Sequence, residues 1–262
     1  RVLGRPLHTE GIDSPRPASQ RAAAFALTAA MLITLTAPAF ADTWCIENGN
    51  ITVKAGDTEG TNKVSQGSII DREDTNTIIT NSDKDTASSN TVTIDAGNDK
   101  VEVTLDNVNI KAGSGSALTS KGDVTLTLKG ENHLTGGNGD TYGGDGITSS
   151  GSLTISGGTV TANGDDGGHG IYSRGSITIS GGSTVTANGG SGTISGGSGI
   201  YSVSGDVTIS GGTVTANGGS GKDGHGGYGI SSSDVAISGG TVNANGGDCK
   251  DGYGGNGISV LV

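Results

Sequence analysis

The side chains of this 262-residue chain that could do chemistry gather in glycine-rich runs of its C-terminal half. Residues Gly136 to Gly146 carry Asp140, Tyr142 and Asp145, and Gly164 to Gly170 carry Asp165, Asp166 and His169. Two later runs carry Lys222, Asp223, His225 and Tyr228, then Asp248, Cys249, Lys250, Asp251 and Tyr253. Carboxylates beside backbone carbonyls in a tight glycine loop suit calcium, a hard ion that takes several oxygen ligands. Asp140, Asp145, Asp165, Asp166, Asp223 and Asp251 are the candidate ligands. Their spacing is not that of the nonapeptide calcium β-roll, and the competing reading is of acidic side chains that only keep a glycine loop soluble. Tyr142, Tyr228 and Tyr253 offer aromatic faces able to stack on sugar rings, with His169 and His225 beside them. The competing reading is that these rings simply cover the corner. Loop histidines with no Cys or His partner at metal spacing do not make a zinc site.

Catalysis asks for more than these runs contain. A polysaccharide lyase needs a base next to a cation that stabilises the developing charge. The repeats offer only Arg174, Lys222 and Lys250, at unrelated places. A hydrolase needs two carboxylates held across one bond, and Asp165 and Asp166 are adjacent in the chain. The chain therefore reads as non-catalytic. Thr159/Thr161, Thr184/Thr186 and Thr213/Thr215 make an outward Thr-x-Thr array of the kind that can bind ice, although threonine is also simply a good exposed strand residue.

These runs are corners of a repeat. Gly-Ile recurs at Ile147, Ile171, Ile200, Ile230 and Ile258, and Thr-Val at Val160, Val185, Val214 and Val242. A period of 24 to 30 residues marks a solenoid whose units bury their apolar sides by stacking. Apolar and polar residues alternate within each element, which is the period of a half-buried strand. The expectation is an all-β, parallel and right-handed β-helix with three short strands per coil. Extending the pattern backwards aligns Leu105 and Leu128 with Ile155, Ile179, Ile209 and Ile237, and Asn132 to Leu134 with Thr184 and Val185. The corners hold nearly all the length variation and read as the place for mobility. Asn163, Asn188, Asn217 and Asn245 fall at one place in successive coils, either as a hydrogen-bonded ladder or as residues tolerating a left-handed turn.

The composition, with 51 glycines and 3% aromatic residues, would alone suit a flexible linker, but linkers do not hold β-branched residues in register. Residues 1–41 read as a polar leader and secretory signal peptide, with an apolar run after Arg21 and a small-x-small site at Ala39-Phe40-Ala41. Residues 42–98 read as an N-terminal lead-in and capping β region, and residues 99–262 as β-helix repeats whose last strand is expected to continue. Removal of residues 1–41 leaves 24 acidic and 11 basic residues, a net charge of −13. That argues against nucleic acid or an anionic membrane as partner, except through a missing anchor, and no obligate oligomer is expected. Cys45 and Cys249 fall at opposite ends of the expected stack, too far apart for a disulfide.

The run Val103-Thr-Leu-Asp-Asn-Val-Asn-Ile110, then Ala117-Leu118, then Val124 to Leu134, resembles a carbohydrate-binding β-helix family of secreted and surface proteins from clostridia and related bacteria. The Ile-Ser-Gly-Gly-Thr-Val-Thr-Ala-Asn-Gly repeats fit the same family, over about residues 90 to 258. The resemblance implies binding of plant-type polysaccharide, cellulosic or pectic, with calcium in corner loops. A structural adhesin or spacer is the main alternative.

Overall fold

Each repeat folds as its alternation dictates. In Thr184–Asn188, Val185 and Ala187 turn inward and are fully buried, while Thr186 between them stays half-buried on the outside. A computed structural model describes residues 41–139 and 143–260. These residues form twenty strands and one turn of 3-10 helix at Ile46–Asn48. The strands stack as parallel coils into a β-solenoid with a continuous apolar core.

Three faces run along the stack. On the Gly-Ile face, Ile51, Val92, Leu118, Ile147, Ile171, Ile200, Ile230 and Ile258 pair in succession. On the Ile-Ser face, Val103, Leu126, Ile155, Ile179, Ile209 and Ile237 do the same. The Thr-Val face aligns Asn132 with Val160, Val185, Val214 and Val242. Ile237 and Ile258, in the last described coil, are 47% and 43% exposed because no described coil lies on them.

Before the regular coils the chain doubles back. Ile51–Ala55 begins the Gly-Ile face but also pairs antiparallel with Asn62–Gln66, which pairs antiparallel with Ile69–Asp74. Thr43–Cys45 lies parallel to Ile78–Thr80, which continues into the Ile-Ser face through Thr104. Cys45 and Cys249 are unpaired, one in this first segment and the other in the last coil.

The alignment expected for the degenerate coils is off by two residues. Leu128 pairs with Gly157 rather than Ile155, and the core partner of Ile155 is Leu126. Asn132, not Leu134, occupies the valine column, and Leu134 pairs with Ala162. Leu126 and Leu128 both point inward, so alternation alone leaves two matches for Ile155; a one-residue register shift follows between Gly157 and Thr159, where the Leu118–Thr135 strand has an additional residue at the corner.

The asparagine column is a ladder. Asn188 donates to Asn163, Asn217 to Asn188 and Asn245 to Asn217, each from Nδ2 to Oδ1 at 2.8 Å. Among the described non-glycine residues only Asp71 and Asn107 have positive φ, so the left-handed alternative does not apply to these asparagines. A periodic amide at a corner thus joins neighbouring coils by side chain as well as by backbone.

Candidate functional site

The corner after each asparagine divides into a fixed stem and a variable tip. The stem is a relay of glycine backbone bonds that climbs the solenoid. Gly190 N–H donates to Gly168, Gly197 to Gly190, Gly219 to Gly197, Gly227 to Gly219, Gly247 to Gly227 and Gly255 to Gly247, all at 2.8 Å. Much of the length variation lies in the tips between paired stems, such as 191–195 and 220–225. The corners expected to be mobile as a whole are therefore tied down at their bases.

The stem sets up a second column, formed by the residue before each Gly-Ile. Asp145 Oδ1 accepts the backbone N–H of His169 at 2.7 Å. His169 Nδ1 accepts that of Ser198 at 2.8 Å, and Ser198 Oγ that of Tyr228 at 3.3 Å. Each side chain thus holds the next coil, and the imidazole ring is fixed in orientation.

Strand alternation then supplies aromatic neighbours. Ile171 and Ser173 point inward, so Tyr172 points out, and Tyr201 does the same one coil on, in register. His169 stacks on Tyr172 with ring centroids 5.6 Å apart and planes 19° apart. Tyr201 lies 5.0 Å from His169 and 5.9 Å from Tyr172. Beside this trio runs a groove of about 390 Å³, walled by Asp145, Thr148, His169, Tyr172 and Ser195 over a glycine floor. Thr148 Oγ1 donates to Asp145 Oδ2 at 2.6 Å and shares a 2.7 Å bond with Ser116 Oγ. A polar wall thus faces an aromatic ledge on rigid strands.

Sequence reasoning found His169 and Asp145 but not Tyr172 and Tyr201. The repeated Gly-Ile-Tyr-Ser at 170–173 and 199–202 was the available signal, since alternation alone turns both rings outward. Of the other candidates, His225 and Tyr253 come together in adjacent coils, stacked at 5.8 Å and 18°. Tyr253 is 77% exposed, and Tyr228 is half-buried in the side-chain column. Asp165 and Asp166 lie in the same corner as His169, Asp165 half-buried and Asp166 exposed. Asp223 and Asp251 occupy matching places in successive tips, beside Lys222 and Lys250. Asp140 and Tyr142 lie outside the described residues.

As placed, the candidate aspartates among the described residues do not assemble the six to eight oxygens that calcium takes. Both oxygens of Asp145 already accept hydrogen bonds. Among the described residues no group of three or more His, Cys, Asp and Glu side chains is set to hold a metal ion. The threonines do align, with Thr159, Thr184, Thr213 and Thr241 in one rank and Thr161, Thr186 and Thr215 in another, which Asn243 ends. A larger groove of about 610 Å³ lies near the N-terminal hairpin, lined by polar and acidic residues with no aromatic ring.

Withdrawal from water pushes the His169 imidazole below the ordinary value of 6.5, partly offset by the Asp145 carboxylate. A ring whose Nδ1 accepts the Ser198 N–H is unprotonated at that atom. The unfolded chain therefore takes up this proton at higher pH than the folded one. Stability associated with His169 is complete above the unfolded value and is lost as pH falls from about 6.5 towards the folded value. Ring-proton NMR should show a His169 midpoint below 6.5 in the native protein. A midpoint above it would mean that the ring is not held as described.

No protein-family model, no curated protein and no solved structure matches this chain.

Proposed function

We propose that this protein is a non-catalytic carbohydrate-binding solenoid, acting outside the cell or at its surface, and that its glycan lies along the His169–Tyr172–Tyr201 ledge. The packed aromatic trio beside a polar groove carries this reading. Sugar rings present apolar C–H faces to aromatic rings and hydroxyls to carboxylates and hydroxyls, and the ledge with Asp145, Thr148 and Ser195 offers both. Asp145, Thr148 and His169 are already fixed by hydrogen bonds and lose little freedom on binding. The acidic chain favours an uncharged plant-type polysaccharide such as a cellulosic glucan over a polyuronate. Among the described residues the groove is lined by one carboxylate, where glycoside hydrolysis takes two. The apolar run and small-x-small site before Asp42 support export.

The test is retention of the folded protein on cellulose, xylan and polygalacturonate, each with calcium and with EDTA. Retention on a neutral glycan is expected to resist EDTA. Tyr172→Ala and Tyr201→Ala should each weaken it by about tenfold or more, the usual scale for a central aromatic anchor. A folded protein retained on none of these glycans would favour a spacer whose coils only project another part of the chain. Retention that depends on calcium and ignores both tyrosines would move the site to the acidic tips.

A further inference from the structure

Asp74 is a fully buried carboxylate at the N-terminal end of the solenoid. It accepts the indole N–H of Trp44 at 2.8 Å and the backbone N–H groups of Asn76 at 3.1 Å and Asp42 at 3.2 Å. All three donors are neutral. Among the described residues, no Lys, Arg or His side chain forms an ion pair with it. Burying a carboxylate is costly unless charge or hydrogen bonds compensate, and a cation in contact compensates more than another amide does.

The Asp42 amide is the group that a cut after Ala41 would turn into a cation. Ala39-Phe40-Ala41 has the small-x-small pattern that exporting peptidases cleave. Ala41 is exposed, whereas Asp42 is already held from two other sides. Its carbonyl accepts the Ile78 N–H at 3.2 Å, and its Oδ2 lies 2.9 Å from Arg72 Nη2. We propose that the chain is processed between Ala41 and Asp42, and that the released α-ammonium of Asp42 becomes the ion-pair partner of the buried Asp74 carboxylate. A peptidase adds water across the bond. Ala41 leaves with the new carboxylate, and the Asp42 nitrogen, now an amine, takes a proton at neutral pH. Its N–H points where the amide N–H already points. The pair fastens strand Thr43–Cys45, and Trp44 with it, onto the end of the stack.

The test is expression of the full chain in a secreting bacterial host, followed by N-terminal sequencing and intact mass of the exported protein. The expected first residue is Asp42. The exported protein is then treated near neutral pH with an amine-acylating reagent, and its N-terminal peptide is mapped. A paired ammonium holds its proton, so the Asp42 amine should label at least about tenfold more slowly in the folded than in the urea-unfolded protein, as one unit of raised pKa dictates. Asp74→Asn should restore fast labelling. If that variant does not fold by circular dichroism, the folded-against-unfolded comparison of the unsubstituted protein decides alone. An uncut chain, a different first residue, or equal labelling rates would overturn the proposal.

Discussion

Gly227→Ala should cost more than about 4 kcal/mol of stability, while Gly211→Ala should stay within about 0.5 kcal/mol of the parent. A β-carbon at Gly227 would lie 1.8 Å from the carbonyl oxygen of Gly197 in the preceding coil. That oxygen is backbone and cannot swing aside. Making room means separating two coils at the stem, where Gly227 donates to Gly219 and Gly247 donates to Gly227 at 2.8 Å. The same approach recurs, with Gly255 at 1.9 Å from Gly227 O and Gly197 at 1.9 Å from Gly168 O. One methyl would therefore prise open a contact that repeats up the stack. Gly211 has no atom within 4 Å of the added carbon and no left-handed φ, so it separates steric need from general helix or strand preference. Urea unfolding followed by circular dichroism measures both. Equal stabilities for the two variants would refute the account of the stem.

The same contact explains why the composition misleads. Fifty-one glycines suggest a chain that cannot order itself, yet many of them are where backbones meet with no side chain between them. The three-face solenoid was legible because Ile155, Ile179, Ile209 and Ile237 share a place in each repeat, and period fixes which face is buried. The stem was not, because Gly-Gly written before and after a tip says nothing of which coil's carbonyl each amide will meet. Tyr172 and Tyr201 were legible in principle, since each follows the inward isoleucine of its coil. They lie outside the glycine runs that hold the other candidate aromatic residues. Their approach to His169 depends on the hydrogen bond from Ser198, a contact 29 positions away along the chain that no local pattern reveals.

Asn132→Val should destabilise the protein by about 2–4 kcal/mol, although valine is what the repeat places in that column in the next coils. The substitution keeps the volume and adds apolar surface to a fully buried site. Against that gain stand three lost partners. Val108 N–H, itself buried, donates to Asn132 Oδ1 at 2.9 Å, and Asn132 Nδ2 donates to Lys129 O at 3.1 Å and Thr159 O at 3.0 Å. Each orphaned group costs about 1–3 kcal/mol, while fully burying a valine rather than leaving it exposed returns only about 1.5–3 kcal/mol. The additional residue between Leu128 and Glu131 turns the Lys129 carbonyl towards this column, and only an amide can both accept from Val108 and donate back to it. The reciprocal change, Val160→Asn, should also destabilise, because the paired corner at Gly157-Gly158 lacks that additional residue. The expected fall in Tm for Asn132→Val is roughly 4–16 °C, at about 2–4 °C per kcal/mol for a domain of this size. If Asn132→Val instead stabilised the protein and Val160→Asn did not harm it, the two coils would be interchangeable. The shifted register would then carry no energetic weight.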